Sequence, residues 1–218
     1  TPTIVPLAVS DEWIKSLAGV SMSFMKITFY VDGVKKFMKK GKILFTHFGL
    51  SGPLILNSAK TVADLLHTGI VTATIDAFPD TDLGALEKRI INVFDINKNK
   101  MLKNVFDQIA PEGTSFAILS LVSVDPDKKV HSVTKEERKE IVQILKSLPV
   151  NISGLMGFDR AVVADGGVSL DEIDTKTMRS KLYNNLYITG DLLHINRPSG
   201  GYSLQLCWTT GYVAGENA

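Results

Sequence analysis

The sequence predicts an α+β protein in which a helical segment is inserted into a β-rich one. Three observations support this prediction. Apolar and polar residues alternate in several stretches of residues 1–80, which is the period of a half-buried strand. Within residues 81–148 the apolar residues recur about every 3.6 positions, as in amphipathic helices. The alternating pattern returns from residue 149 onward.

The first strands are predicted around a tight hairpin. Residues 25–31 alternate and end at Asp32 and Gly33, which tolerate the positive φ of a two-residue turn. The return strand is predicted within residues 34–48, and another strand at residues 71–77. The apolar interior of this segment is expected to include Trp13 and Phe24.

One helix has a complete start signal. In the helix predicted at residues 134–148, Thr134 and Glu137 have the spacing of a capping box, and Pro149 follows the last turn. Residues 116–124 are apolar throughout and could form a buried helix or a buried strand, of which we favour the helix. Two further helical stripes are predicted at residues 83–93 and 101–109.

The C-terminal tail differs from the rest of the chain. After return strands at 150–153 and 161–164, it is predicted to contain a strand at 186–189 and a buried helix at 203–213. Gly190 allows a ligand to approach the backbone, and an ionised Asp191 can accept hydrogen bonds from sugar-like hydroxyls. Gly200 and Gly201 leave the first N–H groups of the helix free to face an electron-rich group.

A reduced flavin meets both demands, because its ribityl chain offers hydroxyls and its pyrimidine edge becomes anionic on reduction. The alternative is that Gly190 and Asp191 form a turn after a strand and that Gly200 and Gly201 form a loop hinge. These dipeptides alone leave both interpretations open.

Composition narrows the class of protein. The 218 residues carry 24 Lys and Arg against 23 Asp and Glu, a formal net charge of +1, and 44% are hydrophobic. The balanced charge and the lack of an apolar run near the roughly 20 residues of a membrane span predict neither a nucleic-acid partner nor a membrane. Cys207, the single cysteine, is expected to be a buried apolar residue of the last helix, and the lack of a second cysteine favours a cytoplasmic location. The start, without Met or signal peptide, is interpreted as a cut end.

Other candidate residues have simpler structural interpretations. Ser51 is followed by Gly52 and Pro53, and a nucleophile elbow needs glycine where Pro53 stands, so a turn is favoured. The four histidines lack a metal-ligand spacing, so no metal site is predicted. The lysines between Lys35 and Lys42 could touch an acidic partner or could be solvated charges that discourage pairing at a strand edge.

Five blocks of the chain support a family relationship. They are residues 44–53 (LFTHFGLSGP), 125–130 (DPDKKV), 166–174 (GGVSLDEID), 177–182 (TMRSKL) and the tail at 186–215. In this order they resemble bacterial flavoproteins of the BaiN/YhiN type, a family of NAD(P)/FAD-dependent oxidoreductases. The resemblance covers essentially the whole chain and places it in the second half of the family's length.

The resemblance implies a domain organisation and cofactors. It implies a β-barrel-like insert domain at residues 1–80 and 149–168, a helical subdomain at 81–148, and at 169–218 the C-terminal strand and helix of a Rossmann-like FAD-binding domain. FAD is the implied cofactor and NAD(P)H the co-substrate. Family members open with a Gly-x-Gly-x-x-Gly turn, which this sequence lacks, so the implied partner is a missing N-terminal FAD-binding half.

The resemblance also implies roles for residues of the tail. Asp191, after Gly190, would bind the ribityl chain, and Gly200, Gly201 and Tyr202 would present N–H groups at the start of the helix to the isoalloxazine. The intervening loop departs from the acidic and glycine residues of the family at His194, Asn196, Arg197 and Pro198.

Two further positions would border the flavin. His194 is the candidate proton donor to a reduced substrate. Gly166 and Gly167 lie where the chain would re-enter the flavin domain, and they could approach the cofactor closely or form a plain turn.

The predicted function is therefore that of a fragment of a FAD-dependent oxidoreductase. The fragment would supply the insert domains and part of the flavin site for hydride transfer from NAD(P)H to an organic acceptor, a small-molecule substrate. The chain alone is expected to bind no flavin and to catalyse no reaction. The alternative is a non-catalytic barrel module that binds a protein or an acidic polymer through its lysines.

Overall fold

The computed structural model describes residues 2–218. Its strands are β1 (Pro2–Thr3), β2 (Leu7–Val9), β3 (Ser21–Val31), β4 (Val34–Thr46), β5 (Gly49–Ser51), β6 (Val71–Asp76), β7 (Leu148–Leu155), β8 (Val163–Ala164), β9 (Ile173–Asp174) and β10 (Arg179–Ser180). Its α-helices are α1 (Glu12–Lys15), α2 (Pro53–Leu56), α3 (Ala59–Leu66), α4 (Leu83–Ile96), α5 (Ser115–Leu119), α6 (Lys135–Lys146) and α7 (Tyr202–Asn217).

Strands β2 to β7 close a barrel in the order β2-β5-β4-β3-β6-β7. Neighbouring strands are antiparallel, and alternate residues face a core that includes the fully buried Ile27, Phe29 and Phe45. Trp13 of α1 belongs to this core, as predicted, with its ring 6.0 Å from that of Phe45 and its indole N–H donating to the carbonyl of Pro149. The barrel confirms that the β-rich segments form one unit although they are far apart in the sequence.

The predicted hairpin is present, with one correction. Asp32 and Gly33 join β3 to β4 at φ values of 48° and 78°, as a two-residue turn requires. Between Met22 and Met25 the register of β3 shifts against β4. At this bulge Phe24 has a φ of 60° and is 79% exposed, so the prediction that it lies in the apolar interior is wrong. A bulge adds a residue and breaks the alternation of faces.

The predicted helices between the β-rich stretches lie between β6 and β7, and they share one apolar core with the barrel. The capping box of α6 is confirmed: the Thr134 hydroxyl accepts from the N–H of Glu137, and the Glu137 carboxylate accepts from the N–H of Thr134. After α6 the chain enters β7 at once, with Pro149 opposite Thr74. These features confirm the α+β class, with a barrel and an inserted helical segment.

The stripe at residues 101–109 is largely buried, but it does not form one helix. It forms two 3₁₀ turns, Leu102–Asn104 and Phe106–Gln108. The N–H of Lys103 donates to the carbonyl of Pro126 at 2.9 Å. A loop distant in sequence therefore takes over a backbone donor, which the periodicity of the stripe could not indicate.

Three predicted elements are shorter in the structure. The helix predicted at residues 116–124 ends at Leu119, the last residue of α5. The strand predicted at residues 161–164 is reduced to the two residues of β8, which pair with the equally short β1. Residues 186–189 make a single bridge, between Arg179 and Tyr187, and no ladder. The strand beside this segment, β10, is only two residues long, so the pairing does not extend beyond this bridge.

The predicted C-terminal helix is confirmed as α7, but the prediction that it is buried is wrong: its buried residues are Thr210 and Ala214, and Cys207 is only partly buried. The helix packs on a second, small apolar cluster, whose buried members are Ile173, Met178, Leu193 and Ala214. The assignment of residues 169–218 to a Rossmann-like domain and the exact domain boundaries stay predictions. No helix in the described part of the chain is long and apolar enough to span a membrane.

Candidate functional site

The structure brings two predicted site segments side by side. The N–H of Val168 donates to the carbonyl of Leu192 at 2.8 Å, and the N–H of His194 donates to the carbonyl of Val168 at 2.9 Å. Gly166 and Gly167 therefore lie next to the segment that contains Gly190, Asp191 and His194, although the two are separated in sequence by the β9–β10 hairpin.

Gly190 is a close-packing glycine. Its φ is 61°, its N–H donates to the hydroxyl of Thr210 at 2.9 Å, and an added Cβ would lie 2.8 Å from the Sγ of Cys207. The absence of a side chain therefore lets α7 approach the backbone at this point. This contact explains the glycine without a ligand, and a role of Gly190 toward a cofactor stays a prediction.

The other four glycines divide into two kinds. A Cβ on Gly167 would lie 2.5 Å from the carbonyl oxygen of Leu192, so this glycine also serves internal packing. Gly166 and Gly201 have open space at the Cβ position, and the Cβ of Gly200 would meet only the Tyr202 ring at 3.9 Å. Gly166, Gly200 and Gly201 are thus the glycines that leave room for a ligand.

The N-terminus of α7 has no side-chain cap. Gly201 is the N-cap residue, and its carbonyl accepts from the N–H of Gln205. The N–H groups of the first turn have no intrahelical partner in any α-helix, and the helix dipole is positive at this end. Tyr202, which is 59% exposed, stands beside these donors. The arrangement suits an electron-rich or anionic group.

The carboxylate of Asp191 is bound by Arg197, which was noted above only as a position where the loop differs from the family pattern. The Arg197 guanidinium donates to the Oδ1 of Asp191, to the hydroxyl of Ser203 at 2.8 Å and to the carbonyl of Ile195 at 2.6 Å. The Arg197 side chain is only 8% exposed, whereas that of Asp191 is 52% exposed. Arg197 therefore fixes the loop between Asp191 and α7, and no local motif indicated this.

His194 belongs to a charged group that joins the tail to the barrel. Its Nε2 lies 3.5 Å from the Oδ1 of Asp165, whose Oδ2 lies 2.8 Å from the ammonium of Lys60 on α3. The hydrogen bond from Lys60 is the main cause that lowers the pKa of Asp165, and the charge of His194 and the N–H of Gly166 act in the same direction. Asp165 is therefore a fixed negative charge beside His194.

A cleft of about 390 Å³ lies between the loop at residues 196–198 and the barrel side formed by β1, α2 and α3. We call it the barrel–tail cleft. The N–H of Ser199 donates to the Oδ1 of Asn57 at 2.7 Å and ties the loop to the barrel. The polar and charged residues that line the cleft and matter below are Lys39, Asn57, Lys60, Thr61, Asn196 and Arg197.

The remaining candidates lie elsewhere. Ser51 ends β5, and Gly52, with a φ of 93°, turns the chain into α2. The predicted lysines lie on β4, whose first part pairs with β3 alone, and Lys40 forms an ion pair with Asp80 at 2.8 Å. Within residues 2–218 no three His, Cys, Asp or Glu side chains form a cluster that could hold a metal ion.

The fold and the site define a class: a barrel with an inserted helical segment, joined to a tail whose helix N-terminus is open to a ligand. Residues 1–163 match the family described as HI0933-like protein barrel and H2TH domain. The chain belongs to this family, and the resemblance to flavoproteins of the BaiN/YhiN type is confirmed.

Curated relatives are similar along most of the chain. The chain is 25% identical over 218 residues to a 3-dehydro-bile acid delta(4,6)-reductase of Clostridium scindens, covering 100% of this chain and 53% of the relative. It is 26% identical over 204 residues to a ribosomal RNA dihydrouridine synthase of Haemophilus influenzae, covering 94% of this chain and 47% of that one. A ribosomal RNA dihydrouridine synthase of Escherichia coli is 26% identical over 175 residues, 80% of this chain and 42% of the relative. The chain spans about half the length of these relatives.

Proposed function

We propose that this chain is part of a flavin-dependent oxidoreductase that moves a hydride from NAD(P)H, through FAD, to an organic acceptor. The observation that carries the proposal is the open N-terminus of α7. Gly200 and Gly201 put no side chain in front of the first N–H groups of this 16-residue helix. The barrel and its helical insertion would then shape the access of a small-molecule substrate.

The residues of the tail fit a flavin. The positive end of α7 suits a pyrimidine edge that becomes anionic on reduction. Asp191 has an exposed carboxylate for ribityl hydroxyls, and Tyr202 offers an aromatic surface next to the helix start. Gly166 leaves open space on the neighbouring segment. FAD, when bound, supplies the hydride chemistry, and this chain orients it and favours its negative charge.

The exposed side of α7 supports a partner for the tail. Leu204, Trp208 and Tyr212 are spaced four residues apart, so they share one face, and they are 58%, 65% and 69% exposed. Thr210 and Ala214 are the buried residues of this helix. We propose that the apolar face packs against the N-terminal FAD-binding half that the family resemblance implies, and that this half holds the rest of the dinucleotide.

The relatives' names suggest the class of acceptor. A 3-dehydro-bile acid with delta(4,6) unsaturation and the uracil ring of uridine each contain a carbon–carbon double bond conjugated to a carbonyl. We propose an acceptor of this class. The hydride adds to the carbon β to the carbonyl, and a proton adds to the α carbon, which balances the reduction. His194, 51% exposed and oriented by Asp165, is the candidate proton donor.

The test uses the full-length, flavin-loaded protein with Asp191→Ala. Loss of a charged hydrogen-bond partner costs about 1.5–3 kcal/mol, so we expect flavin affinity to fall by about tenfold or more. The measurement is flavin absorbance per protein after dialysis, together with the rate of flavin reduction by NAD(P)H. The matched control is Asp107→Ala, an exposed aspartate on the helical insertion.

A second variant tests the start of the helix. Gly201→Leu has a compatible φ of −72° and open space at its Cβ, so we expect the fold to be kept and flavin binding to be lost. If both variants retain stoichiometric flavin and the parent's reduction rate, the flavin site is assigned wrongly. Salt-sensitive binding of an acidic polymer that survives deletion of residues 169–218 would instead favour a non-catalytic binding module.

A further inference from the structure

The barrel–tail cleft is a basic site built from distant parts of the chain. Among the described residues that line it, Lys39 of β4, Lys60 of α3 and Arg197 of the tail loop are cations, and none is an acid. Cations repel one another, so their convergence on one opening needs either internal partners or an anionic ligand.

Internal partners account for two of these charges. Lys60 pairs with Asp165, and Arg197 pairs with Asp191. Lys39 instead donates to the backbone carbonyl of Asn57 at 2.8 Å. Within the described residues, no carboxylate pairs with the ammonium of Lys39, so the cleft keeps a positive charge at its barrel side.

The cleft also adjoins the proposed flavin site. Arg197 lines the cleft while its guanidinium holds Asp191 and the first turn of α7 through Ser203. Only the Arg197 side chain therefore separates a molecule in the cleft from the residues assigned to the flavin. This is the position expected for part of a substrate whose reacting bond reaches the cofactor.

We propose that the barrel–tail cleft binds the anionic group of the substrate, a phosphate or carboxylate carried on a polar organic scaffold. Lys39 supplies the charge, and Asn57, Thr61 and Asn196 supply hydrogen-bonding groups around it. This largely polar wall suits a nucleotide-like anion better than the apolar faces of a steroid. The role as a substrate subsite rests on the proposed function, whereas anion binding does not, since this chain contributes both walls.

The experiment titrates the ¹⁵N-labelled chain, without flavin, with inorganic phosphate, uridine 5′-monophosphate and cholate at low salt. We expect saturable shifts of the Asn57, Thr61 and Asn196 amide signals with uridine 5′-monophosphate, weaker binding of inorganic phosphate and the weakest binding of cholate. Lys39→Gln should raise the Kd for uridine 5′-monophosphate about tenfold, as expected for a lost charge-assisted hydrogen bond. The control is Lys36→Gln, an exposed lysine of the same strand outside the cleft, with a change below about twofold.

Several results would overturn the proposal. The first two are that none of the three probes gives saturable shifts, and that Lys39→Gln and Lys36→Gln have equal effects on the Kd. The other two are that cholate binds more tightly than uridine 5′-monophosphate, and that inorganic phosphate binds as tightly as the nucleotide. The amide spectrum of each variant reports its folding in the same experiment. Because this titration contains no flavin, a negative result rejects anion binding in the cleft and leaves the flavin site, which Asp191→Ala tests, unaffected.

Discussion

The carboxylate of Asp76, at the end of β6, lies 2.8 Å from the ammonium of Lys146, at the end of α6. Asp76 is only 3% exposed, and Lys26 of β3 is its second cation at 3.0 Å. Lys146 also donates to the carbonyls of Phe78 and Thr81 at 2.7 and 2.8 Å. The pair thus joins the point where the chain leaves the barrel to the end of the helical insertion.

Lys146→Met is expected to destabilise the fold. It removes one of the two cations beside a buried carboxylate and takes a donor from two carbonyls, of which that of Phe78 keeps only the N–H of Thr81, so we expect a loss of about 1–3 kcal/mol in the free energy of unfolding. Urea unfolding at neutral pH measures it. The control is Lys40→Met, which breaks an exposed pair with Asp80 and should therefore cost much less than Lys146→Met. Equal losses in the two variants would refute the structural role of the buried pair.

Gly190→Ala is expected to be destabilising for two separable reasons. The left-handed backbone costs a non-glycine residue about 1–2 kcal/mol, and the new Cβ would lie 2.8 Å from the Sγ of Cys207. Adding Cys207→Ala should recover the steric part and leave the backbone part. The control, Gly201→Ala, places its Cβ in open space at a φ of −72°. Thermal unfolding of these three variants and the parent tests this, and a double variant no more stable than Gly190→Ala would contradict the contact.

The capping box makes part of the stability pH-dependent. The hydrogen bond from Lys128, followed by that from the N–H of Thr134, lowers the pKa of Glu137 below its ordinary value of 4.5. A carboxyl whose folded pKa is depressed contributes stability that is present above the unfolded pKa and is lost as the pH falls through the folded pKa. Glu137→Gln should therefore show a smaller loss of unfolding free energy on acidification from pH ~5 to pH ~3.

Two controls accompany this measurement. Thr134→Ala removes the N-cap hydroxyl and should cost about 1 kcal/mol at neutral pH. Asp107→Asn neutralises an exposed carboxyl of the insertion and should leave the acid dependence close to that of the parent. An acid dependence of Glu137→Gln that matches the parent's would show that the contact with Lys128 does not persist in solution.

Local patterns in the sequence were sufficient for the elements whose signals lie within a few residues. The turn at Asp32 and Gly33, the capping box of Thr134 and Glu137, and the C-terminal helix all depend on neighbours along the chain, and the structure has each of them. The order of the β, helical and β segments was likewise predictable, because apolar residues recur with different periods in strands and helices.

Contacts between distant residues decided the rest. The N–H of Lys103 is taken by Pro126, so a helical stripe becomes two 3₁₀ turns. Gly190 is required by Cys207, and Arg197 holds Asp191 and Ser203. By itself the sequence determined the hairpin turn, the capped helix and the place where the C-terminal helix begins. Only the tertiary structure decided which glycines are packed and which are open, because that depends on atoms brought close by folding, not by the chain.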